Sequence, residues 1–187
     1  LRTFIDNVYI PDVIAAAGVY SDYFEIGAGC KHLLSYGNYD LDGKEADLTK
    51  RNRLFKQGIV SPDFKLAHLD VNAITEEVKH SWYEDSTTGR KPLNGDTVPK
   101  DDKVGAYSWI KAPRYNGQPQ EVGPLSRMVV AYAAGDATVT KAVNDALSAC
   151  GAAGHPEVLF SVLGRHAARA LECKIVADAM ADWVLQL

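Results

Sequence analysis

Two short stretches concentrate the side chains able to hold, position or pass on charge. They are His80-Ser81-Trp82-Tyr83 and Ser108-Trp109-Ile110-Lys111-Ala112-Pro113-Arg114-Tyr115. An imidazole titrates near neutrality, so His80 is the leading single candidate. A histidine satisfied by structural partners is the plainer alternative. Lys111 and Arg114 straddle Ala112-Pro113. Either an interface charge pair or an arginine stacked on Tyr115 or Trp109 would use them. Arg114 is no simple base, because a guanidinium stays protonated. Glu76, Glu77 and Glu121 are candidate proton-relay carboxylates, a task that requires burial. Glu121 sits between Pro119 and Pro124 and could instead brace the backbone.

Other chemistry-bearing residues are less informative. His32, His68, His155 and His166 lack the spacing of a metal pair, and Asp101-Asp102 reads as solvated. Cys30, Cys150 and Cys173 are too dispersed for a zinc pattern or a disulfide framework. Gly27-Ala28-Gly29 lacks the Lys-Ser/Thr of a phosphate loop.

The elements that must position these groups are legible in outline. With 187 residues, 47% of them hydrophobic, the chain can bury one sizeable core. A net charge of −4 argues against a nucleic-acid partner. No run of about 18 apolar residues exists to suggest a membrane span. Residues 1–29 read as helical, with Phe4, Ile5 and Val8 on one face and Pro11 kinking or restarting the helix. Residues 30–83 read as short strands and turns. Asp42-Gly43 suits a hairpin, and 54–60 suits a second strand. Residues 84–121 read as an irregular loop, loosest between 84 and 105.

Residues 122–187 read as helical. Pro124 opens a helix carrying Leu125, Met128, Val129 and Tyr132 that stops at Gly135. Asp136 caps a second helix with Val139, Val143 and Leu147, ending at Gly151. Pro156 opens a long final helix whose apolar stripe runs from Leu159 through Met180, Trp183 and Val184 to Leu187. Gly164, Ala167, Ala168 and Ala170 permit close helix–helix approach there. Helical patterns that reach both chain ends without stop signals predict an internal segment of one larger domain spanning 1–187.

The Ser108–Tyr115 wording, followed by Glu121-Val122-Gly123-Pro124-Leu125, closely resembles the central part of nickel–iron hydrogenase large subunits. Ile74-Thr75-Glu76, His80–Tyr83, Arg127–Ala133 and Gly164–Ala170 extend the resemblance over essentially the whole chain. The family's two Cys-x-x-Cys metal motifs are absent.

The resemblance implies an α+β, mainly α fold, a helical bundle body with a small β-rich insertion. It implies a place in the large subunit of a respiratory, dihydrogen-uptake enzyme. Such an enzyme has a nickel–iron centre with cyanide and carbon monoxide ligands, and its electrons leave through iron–sulfur clusters in a small subunit. Four thiolates make that centre, so this stretch supplies no metal ligand and is inactive alone. Its implied partners are the small subunit and the rest of the large subunit. The implied location is periplasmic, or membrane-associated through the partner, which carries the family's twin-arginine signal.

By the same resemblance His80 lies near the partner's cluster closest to the active site. His80, Trp82, Trp109, Lys111, Arg114 and Tyr115 form the expected interface set, and Glu76 and Glu121 remain the relay candidates. A metal-free complex I-type relative and an independent helical interaction module are the competing readings.

Overall fold

The computed structural model describes residues 1–47 and 50–186. Leu1–His68 with Glu121–Leu187 form one compact unit, and Leu69–Gln120 form a second.

The first unit begins with helix α1 (Arg2–Phe4), a π-helical turn (Ile5–Tyr9) and helix α2 (Ile10–Val19). Pro11 neither breaks nor restarts this run. The Ile10 N–H reaches back to the Ile5 carbonyl. That widened turn accommodates a residue that brings no donor and whose ring crowds the preceding turn. Strands β1 (Leu33–Ser35), β2 (Asn38–Asp40), β3 (Arg53–Phe55), β4 (Gly58–Val60) and β5 (Leu66–Ala67) follow. β4 lies between β1 and β5, and β2 pairs with β3, all antiparallel. The 54–60 stretch is thus parts of two strands in different sheets. Asp42-Gly43 makes no tight hairpin, because β2 and β3 are joined by a long connection.

Helices α3 (Pro124–Ala133), α4 (Ala137–Ala149) and α5 (Val162–Val184) complete the unit. Pro124 sits in the first turn of α3, and Gly135, at φ 70°, follows its end. The Asp136 carboxylate accepts from the Val139 N–H at 3.0 Å and caps α4. Pro156, however, opens only a 3₁₀ turn, Pro156–Leu159. The long helix starts after Ser161, whose hydroxyl accepts from the Gly164 N–H at 3.0 Å. A Cβ on Gly164 would collide with the Leu159 carbonyl, so the preceding backbone folds tightly onto this glycine.

One apolar core draws on both element types. Leu33, Phe55 and Val60 come from strands, Met128 and Val129 from α3, Val139 and Val143 from α4, and Leu171 and Ile175 from α5. Truncating a buried side chain of this size typically costs about 2–5 kcal/mol. The expected α5 stripe does not stay covered, since Met180 and Val184 are exposed. Leu187 lies outside the described residues. The fold is therefore mixed helix and sheet, with more residues helical than stranded.

The second unit is built on an antiparallel sheet of β6 (Ile74–Glu77), β7 (Ala112–Tyr115) and β8 (Gln118–Pro119). Residues 112–119, within the stretch expected to be irregular, form a hairpin. Asn116 and Gly117 both have positive φ, 49° and 75°, as its tight turn requires. The intervening segment crosses itself in short bridges, Ser81 to Ser108 and Tyr83 to Pro99.

Candidate functional site

In the second unit the two chemistry-bearing stretches come together. The Trp82 N–H donates to the Ser108 carbonyl at 3.0 Å, and the Tyr107 N–H donates to the His80 carbonyl at 3.0 Å. These bonds set the rings side by side. Trp82 and Trp109 lie 5.2 Å apart, Tyr83 meets Trp109 edge-on at 5.5 Å, and Tyr107 stacks on His80 at 5.7 Å. His80 is exposed, and its Nδ1 faces the Gly105 carbonyl at 3.1 Å. A carbonyl only accepts, so this contact places the proton on Nδ1 and leaves Nε2 as the acceptor nitrogen.

Lys103 holds this turn in place. Its ammonium donates to the Val78 and Tyr83 carbonyls, both at 2.9 Å, and to Asp85 at 2.7 Å. The two carbonyls bracket His80 to Trp82. Nothing in the sequence around Lys103 announces that role. Tyr107 was also not singled out, although its adjacency to Ser108 was a usable signal.

The remaining expected residues divide. Trp109 is 48% exposed, beside Tyr107 and Ile110 at 75% each. Trp82 is half-buried. Lys111 is held internally, on Glu76 at 3.0 Å, the Asp96 carbonyl at 3.0 Å and Thr97 at 3.1 Å. Its ammonium lies 5.6 Å from the Tyr83 ring centre, so the cation–π contact belongs to Lys111 and not to Arg114. Tyr115 corrects the surface expectation. It is 8% exposed, and its hydroxyl accepts from the Asp70 N–H at 3.2 Å. Strand alternation explains this, because Tyr115 and Arg114 point to opposite faces of β7. Arg114 lines a groove of about 290 Å³ with Glu77, Lys79, His80, Tyr107 and Ile110.

Glu76 and Glu121 do not meet in one unit. Glu76 keeps one oxygen on Lys111, both side chains being under one-fifth exposed. Glu121 belongs to the first unit and is fully engaged. Arg165 donates to its two oxygens at 2.7 and 2.6 Å. The Glu121 carbonyl accepts from the Leu34 N–H at 2.9 Å and the Ser126 hydroxyl at 2.5 Å. Arg165 also donates to the Gly27 carbonyl, and to that of Ser161 at 3.0 Å. With a guanidinium bond on each carboxylate oxygen, Glu121 is placed to brace the backbone. Its carboxylate in turn raises the pKa of Arg165, keeping the guanidinium firmly charged.

The donors of the chain do not fit a nickel–iron centre. Cys30, Cys150 and Cys173 are all free. Among the described residues no three His, Cys, Asp or Glu side chains are grouped to hold a metal. Burial raises the Cys150 thiol pKa, the reverse of what a thiolate ligand needs. A cleft of about 450 Å³ in the first unit, lined by Ile5, Tyr9, Tyr39, Val176 and Met180, is chiefly apolar. No helix among the described residues is long and apolar enough to cross a membrane.

Comparison with known proteins gives consistent relatives. The family model described as nickel-dependent hydrogenase matches residues 1–187. An uptake hydrogenase large subunit of Azotobacter chroococcum mcd 1 is 37% identical, over 97% of this chain and 34% of its own length. The periplasmic NiFeSe hydrogenase large subunit of Desulfomicrobium baculatum is 32% identical over 100% of this chain and 36% of its own. The solved Ni-Fe-Se hydrogenase of D. vulgaris Hildenborough superposes with a TM-score of 0.81 at 34% identity, covering 99% of this chain and 38% of that one. The chain thus spans about a third of the length of the curated relatives it matches.

Proposed function

The chain belongs to the nickel-dependent hydrogenase family, and we propose that it works as one segment of the large subunit of a respiratory, dihydrogen-uptake nickel–iron hydrogenase. The parent enzyme oxidises dihydrogen reversibly to protons and electrons. The nickel–iron centre, with its cyanide and carbon monoxide ligands, is held by thiolates outside this segment. The segment supplies scaffold and a docking face for an iron–sulfur small subunit, on the periplasmic side or at the membrane through that partner.

One observation carries the interface role. His80, Tyr107, Trp109 and Ile110 form an exposed aromatic face on a hydrogen-bonded loop, with the half-buried Arg114 of β7 beside it. Aromatic and arginine side chains are the types that most often anchor interfaces. With its proton on Nδ1, the exposed His80 keeps Nε2 as an acceptor, through which a hydrogen bond can tune a neighbouring cluster.

The test uses the full-length large subunit assembled with its partner. His80→Ala is expected to retain nickel while slowing electron transfer out of the active site. Trp109→Ala is expected to weaken assembly. A crosslinking map that places both residues away from the iron–sulfur subunit overturns the reading.

A further inference from the structure

We propose that the groove beside His80 is a carboxylate receptor, and that an aspartate or glutamate of the iron–sulfur partner seats on Arg114. The inference rests on the interface reading above and adds the chemistry of the contact.

The first ground is an imbalance among the arginines. Arg2, Arg51, Arg53, Arg90, Arg127 and Arg165 each pair with a carboxylate. Among the described residues Arg114 is the one partly buried arginine with no such partner. The only hydrogen bond of its side chain is to the neighbouring Pro113 carbonyl, at 2.9 Å. A guanidinium carries five N–H donors in a planar fork that matches a carboxylate. A half-buried one left without an acid is costly unless something else meets it.

The second ground is what lines the groove. Its two serine hydroxyls are tied to the backbone of Ile110. The Ser81 hydroxyl donates to the Ile110 carbonyl at 2.5 Å, and the Ser108 hydroxyl accepts from the Ile110 N–H at 3.0 Å. Glu77 is the one carboxylate on the wall, and it accepts from the Lys79 N–H at 2.8 Å. In register Glu77 lies opposite Ala112 and Arg114 opposite Thr75, so the two are diagonal neighbours on one face of the sheet, yet they form no ion pair. Among the described residues neither Arg114 nor Lys79 pairs with a carboxylate, so the lining carries two cations against the single Glu77 carboxylate. Tyr107 and Ile110, each 75% exposed, form apolar walls. Such walls exclude water from a docked ion pair and so strengthen it.

The third ground is rigidity. β7 is hydrogen-bonded on both edges, to β6 and to β8. Arg114 is therefore carried on an ordered strand, so no backbone entropy at this position is lost on docking.

The experiment measures dissociation of the full-length large subunit from its iron–sulfur partner as a function of salt, for Arg114→Gln, Arg114→Lys and Trp109→Ala. Arg114→Gln is expected to raise Kd by at least about 30-fold, mainly through faster dissociation, and to flatten the salt dependence. Arg114→Lys should restore part of the loss, because the charge remains while the fork is gone. Carbodiimide treatment of the Arg114→Lys complex should join the introduced amine to one acidic residue of the partner. If Trp109→Ala weakens the complex and Arg114→Gln does not, the face is the interface and the carboxylate assignment is wrong. If neither changes Kd, the interface reading fails and takes this proposal with it. Crosslinking of the introduced amine only to acids of its own subunit also overturns it.

Discussion

Replacing Arg165 by Met removes the strongest polar tie in the first unit, and its cost can be worked from geometry. The guanidinium bonds both Glu121 oxygens and three backbone carbonyls, and each partner of the pair is about one-fifth exposed. Exposed pairs contribute about 0–1 kcal/mol. Removing one partner of a fully buried pair costs about 3–5 kcal/mol. A pair with this exposure falls between, at about 2–3 kcal/mol, or about 30- to 150-fold in a local opening equilibrium. Amide hydrogen exchange in the full-length subunit reads that directly. The informative amides are Leu34, Glu121 and Val162, which donate to Glu121, His32 and Ile26. The Thr140 amide in α4 is the internal control. Glu121→Gln should cost less, because Arg165 keeps its backbone acceptors. Exchange at all three amides unchanged within about threefold would refute the bracing role, since even an exposed pair can contribute that much.

Three further outcomes follow from the same structure. Gly164→Ala should destabilise the subunit by at least about 1–3 kcal/mol, seen as a lower unfolding temperature, because the new Cβ meets backbone and not a movable side chain. Lys103→Met should speed exchange at the Trp82 and Tyr107 amides by about tenfold, the size of one lost hydrogen bond, while leaving α4 untouched. Asp63, Asp85 and Asp178 are held below the ordinary carboxylate range, chiefly by hydrogen bonds from Lys65, Lys103 and Lys174 in turn, Asp63 at about 2. Lowered folded-state values mean that their stabilisation is complete above about pH 4 and is lost as pH falls through those values. Carboxyl NMR titration that found all three at ordinary values would contradict this.

Where local chemistry decides, the sequence was readable. Pro124, Gly135 and Asp136 mark the ends of α3 and α4 because caps and stops are set by one residue and its immediate neighbours. The start of α5 was hidden because two signals compete five residues apart. Pro156 suits a first turn, but the Ser161 cap and the glycine-only approach at Gly164 lie beyond it and prevail. Reading 84–121 as irregular passes over Asn116-Gly117, a strong hairpin signal in plain view. The inward turn of Tyr115 and the internal capture of Lys111 depend on register, which the composition of the segment does not reveal. Lys103 was the least accessible of all, because its acceptors are backbone carbonyls about 20 to 25 residues away, and carbonyls leave no trace in residue identity.

Two arginines show how far residue type alone can carry a functional argument. Arg114 lies in the most distinctive stretch of the chain, and Arg165 lies in a helix that reads as plain core. Their identities are the same, and both are partly buried. What separates them is satisfaction. Arg165 meets a carboxylate and backbone carbonyls of its own unit, so its binding capacity is spent on holding β1, α3 and α5 together. Arg114 meets one adjacent carbonyl and otherwise faces a groove. A charged group satisfied within its own fold has little left to offer a partner. One left unsatisfied on an ordered strand retains its binding capacity for association. That contrast, and not the local density of aromatic and basic residues, is why the docking assignment centres on Arg114 and leaves out Lys111 and Tyr115.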